Sequence, residues 1–217
     1  MKRFPAAFFL AIALAPAFAK DVTTDKPGQF VRIELPRKGI LTLAEVEIMA
    51  GGKNIAKGGK TKQSSIGSGG VAERAIDGNK NSSYGGGGQT HTSEQNKPWW
   101  EIDLGSEQKI ESVQIWNRAD GLEERLAGFT LSILNAKRDP VFVREKVDAP
   151  DGSVKFELKK GKPSYFAHNG KSNKPFKAKP KPPQPGKPWD LAKAEVPADY
   201  RDPAKFAFQS GDMVALL

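Results

Sequence analysis

A histidine, two arginines and an aspartate stand at a spacing that suits them to hold a polar ligand. Twenty-six residues separate His91 from Arg118, Asp120 follows two positions later, and Arg125 comes after four further residues. Arginine presents a rigid fork of donors, and histidine adds one more donor or acceptor. We therefore expect His91, Arg118 and Arg125 to converge on one pocket, with Asp120 orienting the arginines.

Two strand-like runs position these residues. Residues 99–104 and 110–116 alternate apolar and polar side chains over part of their length, as half-buried strands do. His91 precedes the first run and the arginines follow the second, so all of them fall in connecting loops. Loops at one end of a rigid sheet commonly carry binding residues, and the pattern predicts such a site here.

The rest of residues 28–158 has the pattern of an all-β domain. Further strands are predicted by alternating runs at residues 30–35, 41–48, 128–134, 141–147 and 154–158. Residues 53–70, rich in Lys, Gly and Ser, predict a loop. Residues 71–76 predict one helical turn or a loop that packs Val71 and Ile76 inward. Many short strands at regular intervals indicate a sandwich or jelly roll.

The spacing of the four site residues resembles the signature of the F-type lectins, a branch of the discoidin superfamily. Residues 75–79 (Ala-Ile-Asp-Gly-Asn), residues 98–105 (Pro-Trp-Trp-Glu-Ile-Asp-Leu-Gly) and Asn117-Arg118 add to the resemblance, which runs from about residue 29 to 147. It implies a discoidin-like jelly-roll β-sandwich that binds fucosylated glycans.

The resemblance also implies roles for the site residues. His91, Arg118 and Arg125 would hydrogen-bond the hydroxyls and ring oxygen of an α-L-fucoside, while Asp120 would hold the guanidinium groups. Family members carry two adjacent cysteines where this chain has Gly121-Leu122, so Leu122 would supply the apolar contact and Tyr84 would line the methyl pocket. The alternative is that the arginines are surface charges and His91 an ordinary loop residue.

A calcium site is the second expectation from the resemblance. Calcium takes six to eight oxygen ligands, and many of them are backbone carbonyls. Carboxylates would come from Glu45 and Asp77, and backbone oxygens from the other matched positions, which are Ala44, Arg74, Asn79 and Gly88. Asp77-Gly78-Asn79 equally suits a plain Asx turn.

The order of segments differs from the family. The segment that closes the domain in other members opens it here, at residues 28–48. Because domain termini often lie close together, we expect a circularly permuted domain at residues 28–158.

The N-terminal residues resemble a secretory signal. Lys2 and Arg3 precede an apolar run at residues 8–14, and small residues at 17–19 suit cleavage near Ala19. The alternative, a membrane anchor, requires a longer apolar run, and no other stretch is long enough to span. The chain has no cysteine, which excludes disulfides. We expect a secreted, periplasmic or cell-surface protein.

The net charge of +9 is concentrated after the domain, because residues 20–150 carry a net charge of only +1. A nearly neutral domain argues against nucleic-acid binding. Residues 159–189 contain nine lysines, many prolines and no acidic residue, which predicts an extended linker or a tether to an anionic surface. Residues 190–217 are a tail that indicates either a fragment or the opening of a second domain.

The sequence gives less support to other classes of function. Two histidines, no cysteine and no hydrolase motif argue against an enzyme. A discoidin-like adhesion or targeting module of a larger secreted protein, binding another glycan, a protein or an anionic surface, remains the alternative.

Overall fold

Two five-stranded antiparallel sheets form the protein in the computed structural model, which describes residues 24–167. In chain order the strands are β1 (Gly28–Glu34), β2 (Lys38–Gly39), β3 (Glu45–Ala50), β4 (Lys53–Asn54), β5 (Lys60–Gln63), β6 (Gln95–Asn96), β7 (Trp99–Gln108), β8 (Ser112–Trp116), β9 (Phe129–Leu134), β10 (Pro140–Val147), β11 (Ser153–Glu157) and β12 (Ser164–Phe166). Short 3₁₀ helices span Ala56–Gly58, Ala72–Ile76, Tyr84–Gly86 and Glu123–Leu126.

The first sheet has the order β10-β9-β1-β7-β5 and the second the order β12-β11-β8-β3-β4. The short strands β2 and β6 pair with each other. None of the 3₁₀ helices at residues 24–167 is long and apolar enough to cross a membrane.

One apolar core lies between the two sheets. Alternate residues of each strand are buried, as the period of two requires when one face of a sheet is covered. The ring of Phe129 on β9 meets the ring of Phe156 on β11 edge to face, with centroids 6.3 Å apart. Both rings are almost fully buried. The prediction of an all-β sandwich is confirmed.

Two parts of the predicted secondary structure are wrong. Residues 53–70 contain β4 and β5, and β5 forms the edge of the first sheet against β7. Its sequence, Lys-Thr-Lys-Gln, has no apolar residue, which suits an edge strand and conceals it from a search for apolar alternation. The strand predicted from residue 41 begins at Glu45, because the backbones of Leu41 and Leu43 bond instead to Thr92 and Thr90.

Other predictions differ in smaller ways. The predicted helical turn is the 3₁₀ helix Ala72–Ile76, which buries Ile76 but leaves Val71 exposed. Strand β12 pairs with β11 within the segment expected to be a linker. The predicted signal, the remainder of the linker and the tail lie outside the described residues.

The burial of Phe129 against Phe156 should contribute strongly to the stability of the core. Phe129→Ala should lower the free energy of unfolding by about 3–5 kcal/mol, because it opens a cavity between the sheets. Urea denaturation would measure this loss. Ile66→Ala, at a side chain that is 61% exposed, is the control and should change stability by less than about 0.5 kcal/mol.

Candidate functional site

A buried ion pair forms the centre of the site. Nε of Arg118 donates to Oδ1 of Asp120 at 2.6 Å, and Nη2 donates to Oδ2 at 2.8 Å. The side chain of Arg118 is 5% exposed and that of Asp120 is 23% exposed. The hydrogen bonds from Arg118 hold the pKa of Asp120 below its usual value. Asp120 therefore orients Arg118. The expected second pair, between Asp120 and Arg125, is not formed within residues 24–167.

The side chain of Asn117 anchors the loop that carries this pair. Its Oδ1 accepts the backbone N–H of Arg118 at 2.9 Å. Its Nδ2 donates to the carbonyls of Glu123 and Pro150, both at 2.9 Å. The loop after β8 is therefore bound to the start of the 3₁₀ helix Glu123–Leu126 and to the loop before β11.

Tyr84 joins the histidine to the ion pair. Its backbone N–H donates to Oδ2 of Asp120 at 2.9 Å, and its hydroxyl donates to the carbonyl of Ser68. The Tyr84 ring meets the His91 ring edge-on at 5.9 Å. The guanidinium carbon of Arg118 lies 6.0 Å from the Tyr84 ring centroid. Tyr84 therefore contacts both residues that the spacing predicts to be neighbours.

His91 is half-buried and its backbone is held on both sides. Its N–H donates to Gly70 at 3.0 Å and its carbonyl accepts the N–H of Gly67 at 2.7 Å. Its buried Nδ1 has no well-formed hydrogen bond within residues 24–167. Burial lowers the pKa of His91, the backbone of Thr92 raises it by less, and the charges of Arg125 and Arg118 lower it further. The imidazole is therefore neutral at neutral pH.

Arg125 has a half-buried guanidinium that no hydrogen bond or ion pair engages within residues 24–167. Burial and the charge of Arg118 lower the pKa of Arg125, while Asp120 opposes them. Arg37 donates to the carbonyl of Arg125 at 2.8 Å and so holds its backbone. Three groups able to bond a polar ligand, His91, Arg118 and Arg125, thus lie in one place.

Leu122 precedes Arg125 in the same loop. It is half-buried, and its carbonyl accepts the N–H of Arg125 at 3.1 Å. Its position near the arginines agrees with an apolar contact to a ligand, and that role stays a prediction.

No sequence pattern marks Gln63, the residue that shapes the rim beside His91. Nε2 of Gln63 donates to the carbonyls of Ser65 and Gly70, both at 2.8 Å, and to that of His91 at 3.2 Å. These bonds hold the loop at residues 64–70 against His91. Gln63 lies in the stretch predicted as a loop, and no local pattern points to its long-range contacts.

The residues expected to bind calcium gather at the start of β3. Glu45 is 1% exposed, and both its carboxylate oxygens accept the N–H of Gly78 at 3.2 Å. Burial above all, together with the nearby charge of Asp77, raises the pKa of Glu45 to about 7, although the hydrogen bond from Gly78 acts in the opposite direction. Oδ1 of Asp77 accepts the N–H of Asn79 at 2.7 Å, which is the predicted Asx turn.

Four residues are expected to offer backbone oxygens to calcium, namely Ala44, Arg74, Asn79 and Gly88. A Cβ on Gly88 would come within 2.8 Å of the Asn79 carbonyl oxygen, so these two backbones are in close contact. Ala44 adjoins Glu45 and is fully buried. Arg74 lies in the 3₁₀ helix before Asp77, and its Nη1 donates to the carbonyl of Gln89 at 3.3 Å.

The chemistry of these donors fits a cation. Glu45 is a buried carboxylate that no cationic side chain contacts among the described residues, and a second carboxylate lies near it. Among the described residues, no group of three or more His, Cys, Asp or Glu side chains is placed to hold a metal ion. A bound ion would therefore depend on carbonyl oxygens, which calcium accepts.

Comparisons with known proteins point in one direction. The profile of a family described as "NedA-like, galactose-binding domain" matches residues 74–166. A pentraxin fusion protein of Xenopus laevis is 41% identical over 90 residues, which are 41% of this chain and 22% of that protein. A fucolectin of Anguilla anguilla is 41% identical over 86 residues, 37% of this chain and 54% of the fucolectin. A solved Streptococcus pneumoniae fucose binding module is 34% identical, with 52% of this chain and 79% of that chain covered and a TM-score of 0.47.

Together with the fucolectin relatives, the family match identifies residues 74–166 as part of an F-type lectin domain of the discoidin superfamily. The predicted family and the discoidin-like fold are confirmed. The matched family is one of carbohydrate-binding modules and is not an enzyme family, as the sequence predicts. The aligned part of this chain spans 54% of the eel fucolectin and 22% of the pentraxin fusion protein. The circular permutation at residues 28–48 stays a prediction.

The buried Glu45 carboxyl generates a pH prediction for the metal-free lectin. The folded-state pKa of about 7 lies above the ordinary value of 4.5. The folded protein therefore holds this proton more tightly than the unfolded chain. The resulting stabilisation is complete below pH 4.5 and is lost as the pH rises through about 7.

In excess EDTA, the free energy of unfolding should fall by about 3 kcal/mol over this range, as expected for such a shift. Urea denaturation at several pH values would measure it. Glu45→Gln should abolish this pH dependence, whereas Glu94→Gln, at an exposed side chain, should keep it. A Glu45→Gln variant with the wild-type pH profile would contradict the prediction.

Proposed function

We propose that this protein binds terminal α-L-fucosides of glycans through His91, Arg118 and Arg125. The observation that carries the proposal is the unengaged, half-buried guanidinium of Arg125 beside the Arg118–Asp120 pair. A sugar with neighbouring hydroxyls and a ring oxygen supplies the acceptors that this cluster lacks. The names of two similar proteins, a fucolectin and a fucose binding module, support fucose as the sugar.

Each residue has a distinct part in this proposal. Asp120 occupies Nε and Nη2 of Arg118, which leaves Nη1 to donate to the sugar. Arg125 offers its whole fork of donors, and the neutral His91 adds a donor or an acceptor. Tyr84 and Leu122 supply apolar surface for the methyl face.

We further propose that Glu45 and Asp77, with the carbonyls of Ala44, Arg74, Asn79 and Gly88, hold a calcium ion. The ion would supply positive charge to the buried Glu45 carboxylate, which is the observation that supports this assignment. Its role is structural, because Glu45 and Asp77 hold the start of β3 against the 3₁₀ helix Ala72–Ile76.

Export after cleavage near Ala19 is proposed from residues 1–19, and a contact with anionic surfaces from the basic residues 159–189. Should the chain bind no sugar at this site, it would act as a discoidin-like adhesion or targeting module.

Loss of Arg125 should abolish measurable binding of L-fucose. Arg125→Ala removes charged hydrogen bonds worth about 1.5–3 kcal/mol, which corresponds to roughly ten- to hundredfold in affinity. Because Arg125 forms no side-chain bond within residues 24–167, the fold should be unchanged. Asp120→Asn should weaken binding less, since Asp120 acts through Arg118. Calorimetry with L-fucose would measure both effects.

D-Galactose and D-mannose serve as comparison sugars in the same experiment. Arg138→Ala is the control variant, because Arg138 lies outside the cluster, pairs with Glu101 at 2.7 Å and should leave fucose binding intact. Equal fucose binding by wild type and Arg125→Ala, or no heat with fucose at all, would refute the proposed sugar site.

Calcium should raise the melting temperature, because a ligand that binds only the folded state stabilises it. At a calcium concentration 100 times the Kd, the gain is about 2.7 kcal/mol. Asp77→Ala should remove most of this gain, whereas Glu94→Gln should retain it. The calcium assignment would be rejected by melting curves that are identical in calcium and in excess EDTA.

A further inference from the structure

Two aromatic side chains flank a serine on the outer face of the second sheet. Phe166 on β12 lies opposite Ser153 on β11, and Ser153 lies opposite Trp116 on β8. Residues directly opposite each other in antiparallel strands project from the same face. The backbones of Phe166 and Trp116 are two strand spacings apart, which is about 10 Å. A small residue thus lies between two large rings.

This arrangement forms the floor and walls of an open groove of about 580 Å³. Such a volume lies in the range of about 300–1,000 Å³ that is typical of small-molecule sites. Phe166 and Trp116 line the groove, with Ser153 between them, and both rings are partly exposed. Neither ring stacks on another aromatic ring within residues 24–167.

One face of Trp116 is already covered. The ammonium of Lys80 lies 4.2 Å from the Trp116 ring centroid and pairs with Glu47 on β3 at 2.6 Å. Because β3 and β11 lie on opposite sides of β8, Lys80 approaches from the β3 side. Trp116 and Lys80 both line the groove.

Polar and charged side chains also line the groove, namely Lys80, Ser82, Gln114, Ser153 and Lys155. Nε2 of Gln114 donates to Oγ of Ser153 at 3.0 Å. Lys155, opposite Gln114, lies 3.8 Å from Glu157, a separation too long for a strong hydrogen bond. An amide, a hydroxyl and an ammonium between apolar walls match a pyranose ring, whose C–H faces lie against aromatic rings while its hydroxyls bond to polar groups.

The groove adjoins the cluster of His91, Arg118 and Arg125. Trp116 stands two residues before Arg118, and two residues of extended chain span about 7 Å. Ser82, which lines the groove, accepts the N–H of Ala119 through its carbonyl at 2.7 Å. Tyr84, two residues after Ser82, bonds Asp120. The segment from Ser82 to Tyr84 therefore borders both sites.

We propose that the groove between Trp116 and Phe166 is a second carbohydrate subsite, which takes a neutral pyranose of the same glycan whose terminal fucose occupies the first site. This inference rests on the proposed function. The segment from Ser82 to Tyr84, which borders both sites, and the aromatic walls of the groove favour this occupant.

The experiment compares the full chain and its variants with two classes of ligand. Fucosylated oligosaccharides of two to four sugars are screened on a glycan array, and calorimetry then compares the tightest of them with L-fucose. The wild type should bind that oligosaccharide about five- to tenfold more tightly than L-fucose, as expected for contacts with two rings. Phe166→Ala, which removes a wall, and Ser153→Tyr, which fills the floor, should each abolish this difference and leave fucose binding unchanged.

Phe30→Ala is the matched control. Phe30 is a partly exposed aromatic residue on β1, where it contacts Arg138, and its loss should preserve the oligosaccharide preference. The two groove variants act in opposite ways, so misfolding of one, seen as a lost melting transition, leaves the other decisive.

Retention of the preference in a folded groove variant would overturn the subsite while the proposed function stands. A wild type that binds no oligosaccharide more tightly than L-fucose would do the same. Absence of binding to every fucosylated ligand, L-fucose included, would refute the proposed function, and the subsite with it.

Discussion

A buried guanidinium requires a partner, and this requirement organises the binding loops. Removing an arginine from water costs several kcal/mol unless a carboxylate in good geometry compensates. Asp120 meets Arg118 with two short bonds and also accepts the backbone N–H of Tyr84. Tyr84 then contacts His91. One ion pair thus aligns three loops that are distant in sequence, and it does so before any ligand arrives.

Much of this arrangement is legible in the sequence, for a physical reason. Apolar alternation is strong in strands that face the core, and the residues just beyond such strands share one end of the sandwich, as His91 and Arg118 do. Strand β5 contributes no side chain to the core, so no alternation marks it. Gln63 acts through bonds to three carbonyls, and the folded backbone alone determines which carbonyls a polar side chain reaches.

Strand β8 connects features that would otherwise be separate. Its last residue, Trp116, lies opposite Glu45 on one side and Ser153 on the other. Lys80 covers Trp116, and its charge also lowers the pKa of Glu45. Glu45, whose carboxylate is assigned to calcium, therefore lies in the same cross-strand row as Trp116 and Ser153, which line the groove. Lys80 lies between β3 and Trp116, because it pairs with Glu47 on β3 and covers one side of the tryptophan that lines the groove.

The central position of β1 has a consequence for how the chain folds. This strand lies between β7 and β9, and Phe30 pairs with both Asp103 and Leu134. During synthesis, the ribosome therefore produces β7 and β9 well after β1. Folding that depends on such distant pairings is slow, and unpaired strand edges favour aggregation meanwhile. We expect the first sheet to close only when β9 is available, so the sandwich forms late and in one cooperative step.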